Sequence, residues 1–165
     1  MCSSDLAFGA LAAAAAGAPI VGYFLSPLIR RKKDAWVSVG EASEFPVDQT
    51  RLVKFVDPDA GPWDGMTARR AAYVRRVGSG LSAGDFVVFD VSCAHLGCPV
   101  SWFAESGLFL CPCHGGSYYE DGSRAAGPPP RGLYPFEVKV EAGKLLIHAG
   151  HIPTLQDPLK KSDST

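Results

Sequence analysis

The sequence predicts an all-β domain preceded by one N-terminal transmembrane helix. Two observations carry this fold class. After about residue 34 the chain breaks into short runs of alternating apolar character, and its 18 glycines and 13 prolines supply the turns between them. Before those runs, residues 6–29 form a stretch of 24 without a charged side chain. At 1.5 Å per residue that is roughly 36 Å of helix, enough to cross a hydrocarbon core of about 30 Å. A length of 165 residues leaves room for one domain of ordinary size behind that anchor. With 47% apolar residues and a net charge of -1, the chain has no basic excess to attract nucleic acid.

Residues 1–29 are read as the N-terminal segment and transmembrane anchor, 30–40 as a hinge linker, 36–152 as the β domain and 153–165 as a polar tail. A signal peptide competes for the apolar stretch, but its apolar core is usually shorter, and no clean small-residue cleavage site precedes a mature start. Pro19 and Pro27 are expected to kink the helix or mark its end. Asp5 is the only charge before the span, whereas Arg30, Arg31, Lys32 and Lys33 follow it. The positive-inside rule would therefore keep the β domain in the cytoplasm.

Within the domain, residues 36–39 and 51–56 alternate like strands, and residues 57–62 carry dense turn chemistry. Residues 66–77 suit helix by propensity, yet their flanking turns favour a strand, with the arginines on a solvated face. Residues 78–80 turn the chain into a short buried strand at 86–89, which feeds directly into Cys93. Residues 100–103 and 108–110 flank a hairpin turn at 104–107. Asp121-Gly122 marks another turn, 127–130 is the rigid run Gly-Pro-Pro-Pro, and 136–140 with 145–147 form a terminal hairpin. No internal repeat is legible.

The chemistry concentrates in two boxes, Cys93-Ala94-His95-Leu96-Gly97-Cys98 and Cys111-Pro112-Cys113-His114-Gly115-Gly116. Four of the five cysteines and two of the four histidines fall there. The hairpin at 100–110 would bring the boxes side by side. A structural zinc site needs four ligands, so six donors are two too many. Two disulfides would leave the paired histidines unexplained. A 2Fe–2S cluster with two thiolates on one iron and two imidazoles on the other uses four donors, and leaves one cysteine per box for a disulfide. His148 and His151 are read as surface histidines.

Both boxes match in full the pattern Cys-x-His-x-Gly-Cys followed by Cys-x-Cys-His, and in this the chain closely resembles the Rieske iron–sulfur proteins of membrane-bound cytochrome bc complexes. The resemblance runs from the anchor to about Ala149. It implies a Rieske fold, antiparallel basal sheets with a small inserted cluster-binding subdomain at about 91–135, and one 2Fe–2S cluster. It makes Cys93 and Cys111 the thiolate ligands, His95 and His114 the imidazole ligands, and Cys98 with Cys113 the loop-to-loop disulfide. His114 and His95 become the quinol-contacting, proton-coupled pair. Leu96 resembles a cap that packs on cytochrome b, and Pro128, Pro129 and Pro130 resemble a loop covering the cluster's other side. High-potential family members place a serine two residues after the second histidine, and the family places a tyrosine four after it. Here those positions are Gly116, with Ser117 next, and Tyr118.

The implied function is electron transfer in a quinol:cytochrome c oxidoreductase, with cytochrome b, a c-type cytochrome and quinol as partners. The small Rieske subunit of an exported molybdenum enzyme such as arsenite oxidase is the alternative. Two thiolates replaced by neutral imidazoles raise the cluster charge from -2 to 0, hence the potential. Without the serine hydroxyl at Gly116 the potential should be lower, which suits menaquinol. The implied disulfide places the domain outside the cytoplasmic membrane, against the basic run. Family members exported in this way carry a twin-arginine pair before the span. Residues 1–5 have none, so a longer natural N-terminus is expected.

Overall fold

The computed structural model describes residues 2–29 and 35–150, which fall into two units. The basic run, His151 and the expected polar tail lie outside the described residues, as does the hinge up to residue 34.

The first unit is one helix, α1 (Cys2–Ile29). Its Ala7–Leu25 stretch has a mean hydropathy of 1.7 over 19 residues, the length and apolar character that a membrane span requires. Among the described residues it is the one helix long and apolar enough to cross a membrane. Neither Pro19 nor Pro27 ends it.

The described residues of the second unit form ten strands: β1 (Trp36–Glu41), β2 (Thr50–Val56), β3 (Arg69–Arg76), β4 (Phe86–Asp90), β5 (Ser101–Phe103), β6 (Leu108–Leu110), β7 (Ser117–Tyr119), β8 (Arg124–Ala126), β9 (Val138–Glu141) and β10 (Lys144–His148). They form three antiparallel sheets, ordered β1-β10-β9, β2-β3-β4 and β5-β6-β7-β8. The expected strands and hairpins are all present, and the ambiguous stretch is strand β3 led in by a short 3-10 turn at Gly65–Ala68.

The period of two in β3 and β4 sets the layering. Ala72, Val74, Phe86 and Val88 point to one face, where they meet Leu145, Ile147, Phe136 and Phe55 in the first core. Tyr73 and Phe89 point to the other, where Phe109, Val100, Tyr118, Cys93 and Cys111 form the second. One sheet therefore has apolar residues on both faces, so the near-continuous apolar run at 86–89 reads as a strand buried on both sides. The second core is pinned by Tyr73, whose hydroxyl donates to the Val100 carbonyl at 3.2 Å and accepts from the Trp102 amide at 3.3 Å. Phe109 is fully buried, 4.6 Å from Trp102 and 5.0 Å from Tyr73 between ring centroids.

Arg70 and Arg75 of β3 correct the expectation of a solvated face, whereas Arg69 is exposed as expected. Arg70 lies over the rings of Phe55 and Phe136 and donates to Asp90 at 2.9 Å. Asp90 is buried and also accepts from the Ser92 amide at 2.8 Å, just ahead of the first box. Arg75 is 8% exposed and reaches Glu120 at 2.7 Å, in the turn between β7 and β8. Their partners stand 20 and 45 residues away, so a local charge pattern cannot reveal them. His148 is likewise half-buried, its ring tilted against Trp36 with centroids 5.3 Å apart.

Asp90→Ala removes the nearest anion of the Arg70 guanidinium, which keeps the Asp57 carboxylate at 3.6 Å and the Ala149 carbonyl at 3.3 Å, and losing that charged hydrogen bond costs about 1.5–3 kcal/mol. Chemical denaturation is expected to show that loss, whereas truncating the more exposed Lys139–Glu141 pair changes stability by less than about 1 kcal/mol.

Candidate metal centre

The two boxes fold as the same turn. In the first, the Cys93 amide donates to the Cys98 carbonyl at 2.8 Å and the Gly97 amide to the Cys93 carbonyl at 2.9 Å. In the second, the Cys111 amide donates to the Gly116 carbonyl at 2.7 Å and the Gly115 amide to the Cys111 carbonyl at 3.2 Å. Gly97 and Gly115 occupy the corresponding positions with φ of 79° and 72°, in the left-handed region that disfavours side chains. The signal in the sequence is Cys-x-x-x-Gly, present in both boxes but masked by the different placement of the histidines. Under this alignment Leu96 and His114 take the same exposed place at the turn tip, Leu96 at 70% exposure.

A disulfide joins Cys98 to Cys113, with Cα atoms 6.6 Å apart, so the pairing implied by the family resemblance is present. Cys93 and Cys111 are buried and free. The rings of His95 and His114 stand edge to face, 5.0 Å between centroids. His95 Nδ1 is buried without a hydrogen-bond partner, a state that a polar atom avoids unless something else satisfies it. Two buried thiols and two adjoining imidazoles, one with an orphaned ring nitrogen, are the soft donor set that a mixed-ligand 2Fe–2S cluster takes. The Cys111 sulfur also lies within 4.8 Å of both disulfide sulfurs. Those two are bonded to each other and offer no thiolate, so the triplet as it stands is not the donor set.

Two further groups close the site. The Tyr118 hydroxyl stands 3.0 Å from the Cys93 sulfur and accepts from the Ala94 amide at 2.9 Å. Burial, and then the hydrogen bond with Cys93, push its phenol above the ordinary value, so it stays protonated and can donate to that sulfur. Gly116 is buried against Pro129. A Cβ built there would stand 2.7 Å from Pro129 Cγ and 3.4 Å from the Cys93 sulfur. Pro129 is itself fully buried, while Pro128 and Pro130 are exposed. The Pro129–Gly116 packing was invisible in the sequence, because spacing does not say which face of a loop another loop covers. Ser117 lies in β7, where it pairs with Leu110 and Ala126.

The fold and this donor set define a small iron–sulfur electron carrier. Residues 35–140 match the family model of the Rieske 2Fe-2S domain, and the chain belongs to that family, whose cofactor is one Rieske-type 2Fe–2S cluster. Among its relatives is the cytochrome b6-f complex iron-sulfur subunit of Chlorobaculum tepidum, 31% identical over 139 residues, 84% of this chain and 67% of that protein. The menaquinol:cytochrome c reductase iron-sulfur subunit of Geobacillus thermodenitrificans is 30% identical over 135 residues, 78% of this chain and 76% of that protein. Of solved structures, a quaternary ammonium Rieske monooxygenase aligns with a TM-score of 0.51 at 17% identity, covering 77% of this chain and 34% of its own, a likeness of fold.

Tyr118 gives a pH dependence with a definite sign. Its folded-state pKa is raised, so its contribution to stability is complete below the unfolded value of about 10 and is lost as pH rises toward the folded value. Urea denaturation between pH 8 and 11 is expected to show an alkaline loss that Tyr118→Phe lacks. That variant also starts less stable, by about 1–3 kcal/mol, because the Ala94 amide is orphaned. Gly116→Ala is expected to cost about 1–3 kcal/mol by overpacking against Pro129, and Pro129→Ala in the same chain to restore part of it.

Proposed function

We propose that this chain is the electron-transfer subunit of a membrane-bound quinol:cytochrome c oxidoreductase. The observation that carries the reading is the pair of matching turns that bring two buried free cysteines and two adjoining histidines together beside one disulfide. Cys93 and Cys111 are the thiolate ligands in this reading, and His95 and His114 the imidazole ligands, with His95 binding through its orphaned Nδ1. When bound, a cluster so ligated supplies a one-electron acceptor of raised potential whose histidine ligands are more basic in the reduced form.

The chain's own groups divide the remaining work. Tyr118 donates a hydrogen bond to the Cys93 sulfur, which favours extra negative charge there and raises the potential. Gly116 has no hydroxyl to offer and so gives back part of that increase. The balance suits menaquinol, in keeping with the name of the Geobacillus relative. His114, exposed at its turn tip, takes the quinol's hydroxyl hydrogen bond on its remote ring nitrogen and holds the proton there as the electron leaves the quinol. Leu96, exposed at the matching tip, packs on cytochrome b. The subunit passes the electron on to a c-type cytochrome, with residues 30–40 as the hinge and about 91–135 as the cluster-binding subdomain. A stable disulfide requires an oxidising compartment, which supports a single-pass protein in the cytoplasmic membrane with this domain on the extracytoplasmic side.

Three measurements test the reading. A redox titration of the purified complex, followed by EPR at a series of pH values, is expected to give a midpoint that falls with pH by up to about 59 mV per unit where electron and proton uptake couple. A potential independent of pH across the alkaline range would count against it. Combined Gly116→Ser and Pro129→Ala is expected to raise the midpoint, Pro129→Ala alone being the reference, because the added hydroxyl then has room beside the Cys93 sulfur. Quinol oxidation that survives His114→Ala would overturn the role given to His114.

A further inference from the structure

Cys111 has a second chemistry available to it besides metal ligation. Its sulfur lies within 4.8 Å of both sulfurs of the Cys98–Cys113 disulfide, a separation that modest side-chain rotation can close. The other free thiol, Cys93, is held by the Tyr118 hydroxyl at 3.0 Å and does not share that cluster. Cys111 is 4% exposed, which shields it from reagents in solution while leaving the internal disulfide as its neighbour.

We infer that, in the cluster-free chain, Cys111 is the attacking thiol of an internal thiol–disulfide exchange. The Cys111 thiolate attacks the Cys98 sulfur along the S–S axis. The Cys98–Cys111 bond forms, the Cys98–Cys113 bond breaks, and Cys113 leaves as the new thiolate. One disulfide replaces another, so no external oxidant or reductant is consumed. The opposite attack, on Cys113, would close a bridge across the single residue Pro112, where the proline ring limits the backbone adjustment such a small loop needs. The leaving thiol, Cys113, is exposed, whereas the thiol it replaces is buried. The product has lost the buried Cys111 thiol and cannot take up the cluster in the arrangement proposed above. An empty site is therefore one that closes itself. The exchange rests on the sulfur geometry alone, and its suppression in the loaded protein rests on Cys111 being a ligand.

The test uses the full-length membrane protein in detergent, with the cluster removed by an iron chelator under anaerobic conditions without added thiol. Free cysteines are trapped with N-ethylmaleimide at intervals, and disulfide-linked peptides are identified by mass spectrometry. The expected result is progressive loss of the Cys98–Cys113 linkage, appearance of Cys98–Cys111, and transfer of label from Cys111 to Cys113. Persistence of Cys98–Cys113 with label on Cys111 would overturn the inference. So would a mixture that includes Cys93 or Cys2 linkages, since that is the random pairing of an unfolded chain. Loaded protein treated in parallel separates the two claims: Cys98–Cys113 should persist there, and equal exchange in both samples would remove Cys111 from the ligand set.

Discussion

The site depends on two paired strands, β3 and β4, that bury side chains on both faces of their sheet. In β3 and β4, alternate side chains serve different cores: Val74 and Val88 hold the sheet to β9 and β10, while Tyr73 and Phe89 carry Phe109 and, above it, the two cysteine loops. A slip of one residue in either strand would exchange the two sets. A slip of β3 would also turn Arg70 and Arg75 each to the other face, away from Asp90 and Glu120. The loops hold their shape because the platform beneath them has a single workable register.

On that platform, the two loops repeat a turn and not a sequence. Each closes with the same pair of backbone hydrogen bonds around a left-handed glycine, and the disulfide then joins the sixth position of one to the third of the other. This offset lets both cysteines at the first position face inward while a histidine comes from the third position in one loop and the fourth in the other. Pro129 closes the remaining side against Gly116, where even a methyl group lacks space. The residue that leaves out a hydroxyl beside the Cys93 sulfur thus has a packing reason to be glycine as well as an electronic consequence.

Most of the fold, and the two boxes that the disulfide joins, could be read from residue order because the signals are local. Turn residues punctuate the strands, apolar alternation marks their faces, and the two boxes place their donors within a few residues of one another. What could not be read is non-local. The burial of Arg70 and Arg75 depends on carboxylates that folding brings from 20 and 45 residues away. The contact of Tyr118 with the Cys93 sulfur and the Ala94 amide crosses between loops, as does the packing of Pro129 on Gly116. The equivalence of the two turns was hidden for another reason: it lies in backbone geometry, which the differing side chains obscure.

The central claim is that two imidazoles and two thiolates share one cluster, with His95 and His114 on the same iron. Pulsed EPR of the reduced protein, prepared with nitrogen-15 in histidine alone, addresses this most directly. Two strongly coupled nitrogen-15 nuclei are expected. A spectrum without strongly coupled histidine nitrogen would contradict it.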